Sequence, residues 1–152
     1  MKKLDNGQCV LRVVDRLDDA SSAKSEVYVN GVKANGFVSG AILEMCVEIR
    51  GCYVVFSVDD NCFEGTLWID LFDAQLKLKD SVNLTWIDAG SDFEFAGFGS
   101  QESILFKYFG RTYALKVWGE KKFRLPFVSD LAEIWKGFRF SSYLEVRLVK
   151  KP

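Results

Sequence analysis

The chain has no histidine, only two prolines, and no Cys-x-x-Cys pair among its 152 residues. Without imidazole, the commonest general base is missing, and so is every Ser-His or Cys-His nucleophile arrangement. Gly-x-Ser-x-Gly, Gly-x-Gly-x-x-Gly before a helix, and the phosphate-binding loop pattern are also absent. Cys9, Cys46, Cys52 and Cys62 are spaced too widely for the usual zinc sites. They read as four reduced, mostly buried thiols behaving as small hydrophobes. Pro126 and Pro152 form no proline-rich linker, so one domain over residues 1–152 is expected. No apolar run approaches the roughly 18–20 residues that cross a bilayer as a helix. Behind Lys2 and Lys3 there is no apolar stretch of signal-peptide type, so a cytoplasmic location is expected.

What is present is an ordinary globular balance, 49% hydrophobic and 27% charged, with 14% aromatics to fill a core. The apolar residues recur with period two. Cys9, Leu11 and Val13 alternate with Val10, Arg12 and Val14; Leu144, Val146 and Leu148 alternate with Glu145 and Arg147. Such alternation puts one strand face on a core and the other in water, as in antiparallel sheets. Residues 53–58 and 66–72 are apolar on both faces, which suits central strands or a buried contact surface. Asn30-Gly31 between valine-rich runs predicts a two-residue hairpin turn with positive φ at both positions. Phe109-Gly110 links two further strands, and Asp73-Ala74-Gln75 and Lys79-Asp80-Ser81 are turn candidates. Gly97-Phe98-Gly99-Ser100 reads as a loop. The one helix signal lies in residues 129–136, with Ser129 as N-cap and Gly137 as stop. The expected fold class is all-β: an antiparallel meander forming a β-sandwich or barrel-like domain of about ten strands, with at most one short helix.

The net charge of −1 conceals a segregation along the chain. Residues 1–56 are neutral, whereas residues 57–102 carry ten acidic residues against Lys77 and Lys79, a net charge of −8. Residues 103–152 carry eleven basic and four acidic residues, a net charge of +7. Segregated charge steers association and selects partners. The acidic middle also holds aromatics, which anchor protein interfaces. The candidate partner-binding residues are therefore Asp59, Asp60, Glu64, Trp68, Asp73, Trp86, Asp88, Asp92, Glu94 and Phe98. If the acidic and basic thirds paired with each other in the fold, the docking field would cancel. In the last third, Lys107, Arg111, Lys116, Lys121, Lys122 and Arg124 interleave with Tyr108, Phe109, Tyr113, Trp118 and Phe123. That pattern suits single-stranded nucleic acid, held by stacking and phosphate contacts. It ranks second, because the sequence pI is about 5.6 and no RNA-binding motif is present. Asp59-Asp60 with Glu64, Asp70 or Asp73 could serve an acid–base pair or a divalent ion, but reads more simply as a solvated turn. No catalytic residue, metal site or cofactor is expected.

Phe56-Ser57-Val58-Asp59-Asp60, Phe63-Glu64, Leu67, Ile69, Leu71, Phe72-Asp73, Leu78 and Asp80 resemble the core of small, uncharacterised bacterial all-β proteins. Phe106-x-Tyr108-Phe109-Gly110 and Phe123-Arg124-Leu125-Pro126 fit the same outline, so the likeness covers residues 50–126. In size, β-rich pattern and acidic aromatic character the chain also resembles, in kind, immunity proteins of contact-dependent growth inhibition and related polymorphic toxin systems. That resemblance implies a non-enzymatic inhibitor in a one-to-one complex, covering the active site of a basic toxin such as a nuclease. It implies no membrane partner. A small-ligand barrel and a subunit whose strand edge is completed by a neighbour are further competitors.

Overall fold

Successive residues of one strand are driven into two separate cores, and this sets the architecture. Val54, Phe56 and Val58 enter the larger apolar cluster, while Val55 between them enters the smaller one. A strand whose two faces are both covered must lie in a middle layer, which explains the continuous apolar runs seen in the sequence.

The computed structural model describes residues 1–15, 22–59, 64–87, 92–123, 134–135 and 140–149. The strands are β1 (Lys2–Lys3), β2 (Cys9–Asp15), β3 (Lys24–Val29), β4 (Val32–Ser39), β5 (Ile42–Ile49), β6 (Cys52–Val58), β7 (Glu64–Phe72), β8 (Leu78–Ile87), β9 (Glu94–Gly99), β10 (Ser103–Tyr108), β11 (Arg111–Phe123), β12 (Ile134–Trp135) and β13 (Ser141–Leu148). Among the described residues they form three open sheets, ordered β1-β5-β6-β7-β8-β12, β13-β11-β10-β9 and β2-β3-β4. Every strand pairing within them is antiparallel. The all-β expectation holds, and the sheets are sandwiched, not closed into a barrel.

The six-stranded sheet is the middle layer. On one side Val47, Val54, Phe56, Leu67, Ile69 and Leu84 pack against Ile104, Phe106, Tyr113, Leu115 and Leu144 of the four-stranded sheet. On the other side Cys46, Val55 and Phe72 pack against Cys9, Val27, Val29 and Val38 of the three-stranded sheet. Each fully buried Val, Leu or Phe side chain stabilises the fold by about 1.5–3 kcal/mol, so both interfaces hold the layers together. Cys9 and Cys46 are buried free thiols and Cys52 is a half-buried one; Cys62 lies outside the described residues. The hydrogen bond with Cys9, and then burial, push the Cys46 thiol far up.

Local chemistry fixes the turns. Asn30 and Gly31 adopt φ of 50° and 79°, and Phe109 and Gly110 adopt 50° and 67°, as a two-residue hairpin requires. Arg50 and Gly51, at 52° and 75°, repeat the device between β5 and β6. Asp73 closes its own turn, its Oδ1 accepting the backbone N–H of Gln75 and of Lys77. At Gly40 the chain crosses from the outer sheet to the middle one with φ of 98°, its N–H donating to Ala23.

Three local expectations differ. Lys79-Asp80-Ser81 is strand within β8, because Asp80 finds partners in another sheet. Gly97 to Gly99 belong to β9, which pairs with β10. Of residues 129–136, only Ile134 and Trp135 are described, and they pair with Leu84 and Asn83 of β8 as strand. The N-cap residue Ser129 lies outside the described residues. Among the described residues no helix is long and apolar enough to cross a membrane.

Candidate functional site

The strand register sorts the segregated charges onto two ends of the layered body. One end gathers the start of β5, the end of β6, the ends of β7 and β8 where Glu64 meets Ile87, the start of β9 and the β10–β11 turn. There Glu44, Asp92 and Asp59 all bear on the hydroxyl of Tyr108. That hydroxyl is held above its usual range, first by burial and then by those three negative charges. Tyr108 is fully buried and its hydroxyl has no hydrogen-bond partner among the described residues.

Each carboxylate has its own setting. Asp59 accepts from the Ser22 hydroxyl at 2.9 Å and from the Ala23 N–H at 3.3 Å. Asp92 is exposed. Glu44 is half-buried, and burial pushes its carboxyl up. Nothing in the acidic middle of the sequence points to Glu44, which lies in the neutral first third. The β5–β6 register shifts between Leu43 and Met45. The shift leaves Glu44 as the extra residue of a bulge, a device that re-aims side chains.

The structure treats the ten residues chosen from sequence unequally. Asp59 and Asp92 come together at this end. Glu94 is there too, paired with Lys107 at 2.8 Å. Both partners are largely exposed, so the pair contributes at most about 1 kcal/mol and weakens with salt. Trp86 is half-buried beside Phe109, ring centroids 5.8 Å apart, with the Arg111 guanidinium 4.8 Å over its ring. Asp60, Asp88 and the side chain of Glu64 lie outside the described residues. Trp68 sits mid-strand between Ser57 and Asn83, on the face turned away from the larger cluster, with Nε1 buried and unpartnered among the described residues. Asp73 closes its turn at the opposite end. Phe98 packs edge-on against Phe95 at 5.2 Å, beyond the β9–β10 irregularity and away from the three carboxylates. Asp70 and Asp80 are interior groups, 3% and 4% exposed, and Glu102 is paired with Arg50.

The basic third is divided as well. Tyr108 and Tyr113 are core, and Lys107 and Arg111 belong to the acidic end. The remaining lysines gather at the opposite end, around two rings. Lys116 and Lys122 stand 4.2 and 5.1 Å from the centroid of Trp118, whose Nε1 donates to Glu145 at 3.0 Å. Lys79 and Lys121 each stand 5.8 Å from the centroid of Tyr143. Exposed cation–π contacts are worth only about 0.5–1 kcal/mol, less than the ~1–3 kcal/mol of a base stacked on an aromatic ring. Lys122 is also 3.6 Å from Glu120 and Lys116 donates to Gln101 at 3.2 Å, both exposed contacts of small worth.

Comparison with protein-family models, curated proteins and solved structures finds no match to this chain.

Proposed function

We propose that this chain is a non-enzymatic protein-binding domain, an inhibitor of the immunity-protein kind that docks its acidic end onto a basic toxin domain such as a nuclease. One observation carries the reading: strand register brings Glu44, Asp59 and Asp92 to one end of the fold, away from Lys116, Lys121 and Lys122. The carboxylate oxygens at this end can accept from an incoming lysine or arginine side chain. A nuclease must be basic to hold its substrate, so a negative end can occupy its phosphate-binding groove. Among the described residues, the Glu94–Lys107 pair offsets one carboxylate of this end and leaves Glu44, Asp59 and Asp92 to carry its negative charge. The absence of histidine fits a binding role better than acid–base chemistry.

The test is association with the protein encoded in the adjacent reading frame, measured by stopped flow over a range of salt. The expected result is fast, salt-sensitive binding, with Glu44→Gln/Asp59→Asn/Asp92→Asn slowing association about tenfold and flattening its salt dependence. An unchanged on-rate in the triple variant overturns the reading.

A further inference from the structure

We propose that the opposite end holds a second site, a cleft between the start of β8, the tail of β11 and the start of β13 that binds single-stranded nucleic acid. The cleft has two lobes. One, of about 380 Å³, is lined by Lys79, Asp80, Lys121, Phe140, Ser142 and Tyr143. The other, of about 300 Å³, is lined by Arg50, Cys52, Asp73, Lys79, Trp118 and Tyr143. Lys79 and Tyr143 line both, so the lobes adjoin. Each is within the size range of small-ligand pockets.

Two sheets build it. Lys79 comes from the middle sheet; Lys121, Trp118 and Tyr143 come from the four-stranded one. Between Val117 and Lys122, β11 spends five steps against two on β13, which runs from Leu144 to Ser142. The surplus bulges out and carries Lys121 to the cleft mouth. Beyond it Phe123 is 74% exposed.

The chemistry selects the ligand. The ammonium groups of Lys79, Lys116, Lys121 and Lys122 flank two aromatic rings, the combination by which a strand's phosphates and bases are held at once. The carboxylates lining the cleft are held in place by neutral donors and keep their charge. Asp80 Oδ2 accepts from Ser142 Oγ and from the N–H groups of Tyr143 and Leu144. Asp73 Oδ1 accepts two N–H groups of its turn. An acidic peptide would satisfy the ammonium groups but would leave the ring faces uncovered, so nucleic acid is the better fit. Lys107 and Arg111, part of the basic stretch in the sequence, take no part.

The test uses fluorescein-labelled dT12 and rU12 with the full chain, read by anisotropy at low and moderate salt. The expected result is binding at low salt that weakens at least tenfold at moderate salt. Lys79→Ala/Lys121→Ala should weaken it at least tenfold and lower the slope of log K against log salt by about 1.4, two phosphate contacts at ~0.7 each. Tyr143→Ala should weaken it without changing the slope. Glu44→Gln/Asp59→Asn should leave it intact, which separates this site from the acidic end. The proposal is overturned by no binding at low salt, by equal competition from polyglutamate or a free mononucleotide, or by an unaffected, folded lysine double variant.

Discussion

The carboxylate of Asp80 accepts the hydroxyl hydrogen of Ser142 at 2.7 Å, tying β8 of the middle sheet to β13 of the four-stranded sheet. The same oxygen takes the backbone N–H of Tyr143 at 2.7 Å and of Leu144 at 3.0 Å, while Oδ1 takes that of Ser81. Asp80 and Ser142 are both buried. Removing the acceptor takes the carboxylate from the Tyr143 N–H and the Ser142 hydroxyl, while the Leu144 N–H keeps Ser142 Oγ at 3.2 Å; a stranded buried group costs about 1–3 kcal/mol. Asp80→Ala is therefore expected to lose about 3 kcal/mol, and Asp80→Asn less, because one acceptor oxygen remains. Urea unfolding measures both.

Asp70 lies 3% exposed, with Ser81 Oγ on one oxygen at 2.6 Å and no partner on the other among the described residues. Burial pushes its carboxyl up to about 7 against the Ser81 hydrogen bond, which lowers it, and the charge of Asp80 adds to the rise. An unfolded aspartate titrates near 3.9. Below about pH 4 both states hold the proton. Between about pH 4 and 7 only the folded chain keeps it, so this group's contribution to stability falls as pH rises and is level above 7. Asp70→Asn removes the slope. The stability of the variant relative to wild type should grow between pH 4 and pH 7, by up to about 4 kcal/mol. A constant difference in urea midpoint across that window refutes it.

At Gly40 an added Cβ would lie 3.0 Å from the Val58 carbonyl oxygen and 3.1 Å from the Ser57 hydroxyl oxygen, on a backbone with φ of 98°. Strain and crowding act together where the chain changes sheets. Gly40→Ala should cost about 2 kcal/mol or more. The Gly31 position has open space around it, so Gly31→Ala should show the φ cost alone and a smaller drop in melting temperature.

Because the Tyr108 hydroxyl is buried without a partner among the described residues, it is a liability in the isolated protein. Tyr108→Phe should leave the melting temperature unchanged or raise it, since the unpaired group is deleted at nearly constant volume. A clear fall in melting temperature would show that the hydroxyl already has a partner in solution.

The fold class was legible in the sequence because period-two alternation and paired positive-φ turns are local properties. The valines beside Asn30-Gly31 and the apolar runs at residues 53–58 and 66–72 carried that information by themselves. What stayed hidden was non-local. Asp80 looks like a turn residue until Ser142, in another sheet, is seen to bond it. Glu44 joins Asp59 and Asp92 only through a bulge that composition does not reveal. Phe98 and Asp73 are close to the other candidates in sequence, yet strand direction sends them away. Charge segregation along a chain becomes segregation in space only where strand lengths and turns carry each segment to one end, and here they do so in part.

The middle sheet has an outer leaf, β2–β4, held by the smaller of the two clusters. If that leaf lifts off first, Cys46, Val55 and Phe72 become a sticky seam able to adhere to a second partly opened molecule. Heat or mild denaturant would then lead to clumping before the larger interface melts, and the buried thiols of Cys9 and Cys46 would open to a thiol reagent in the same step.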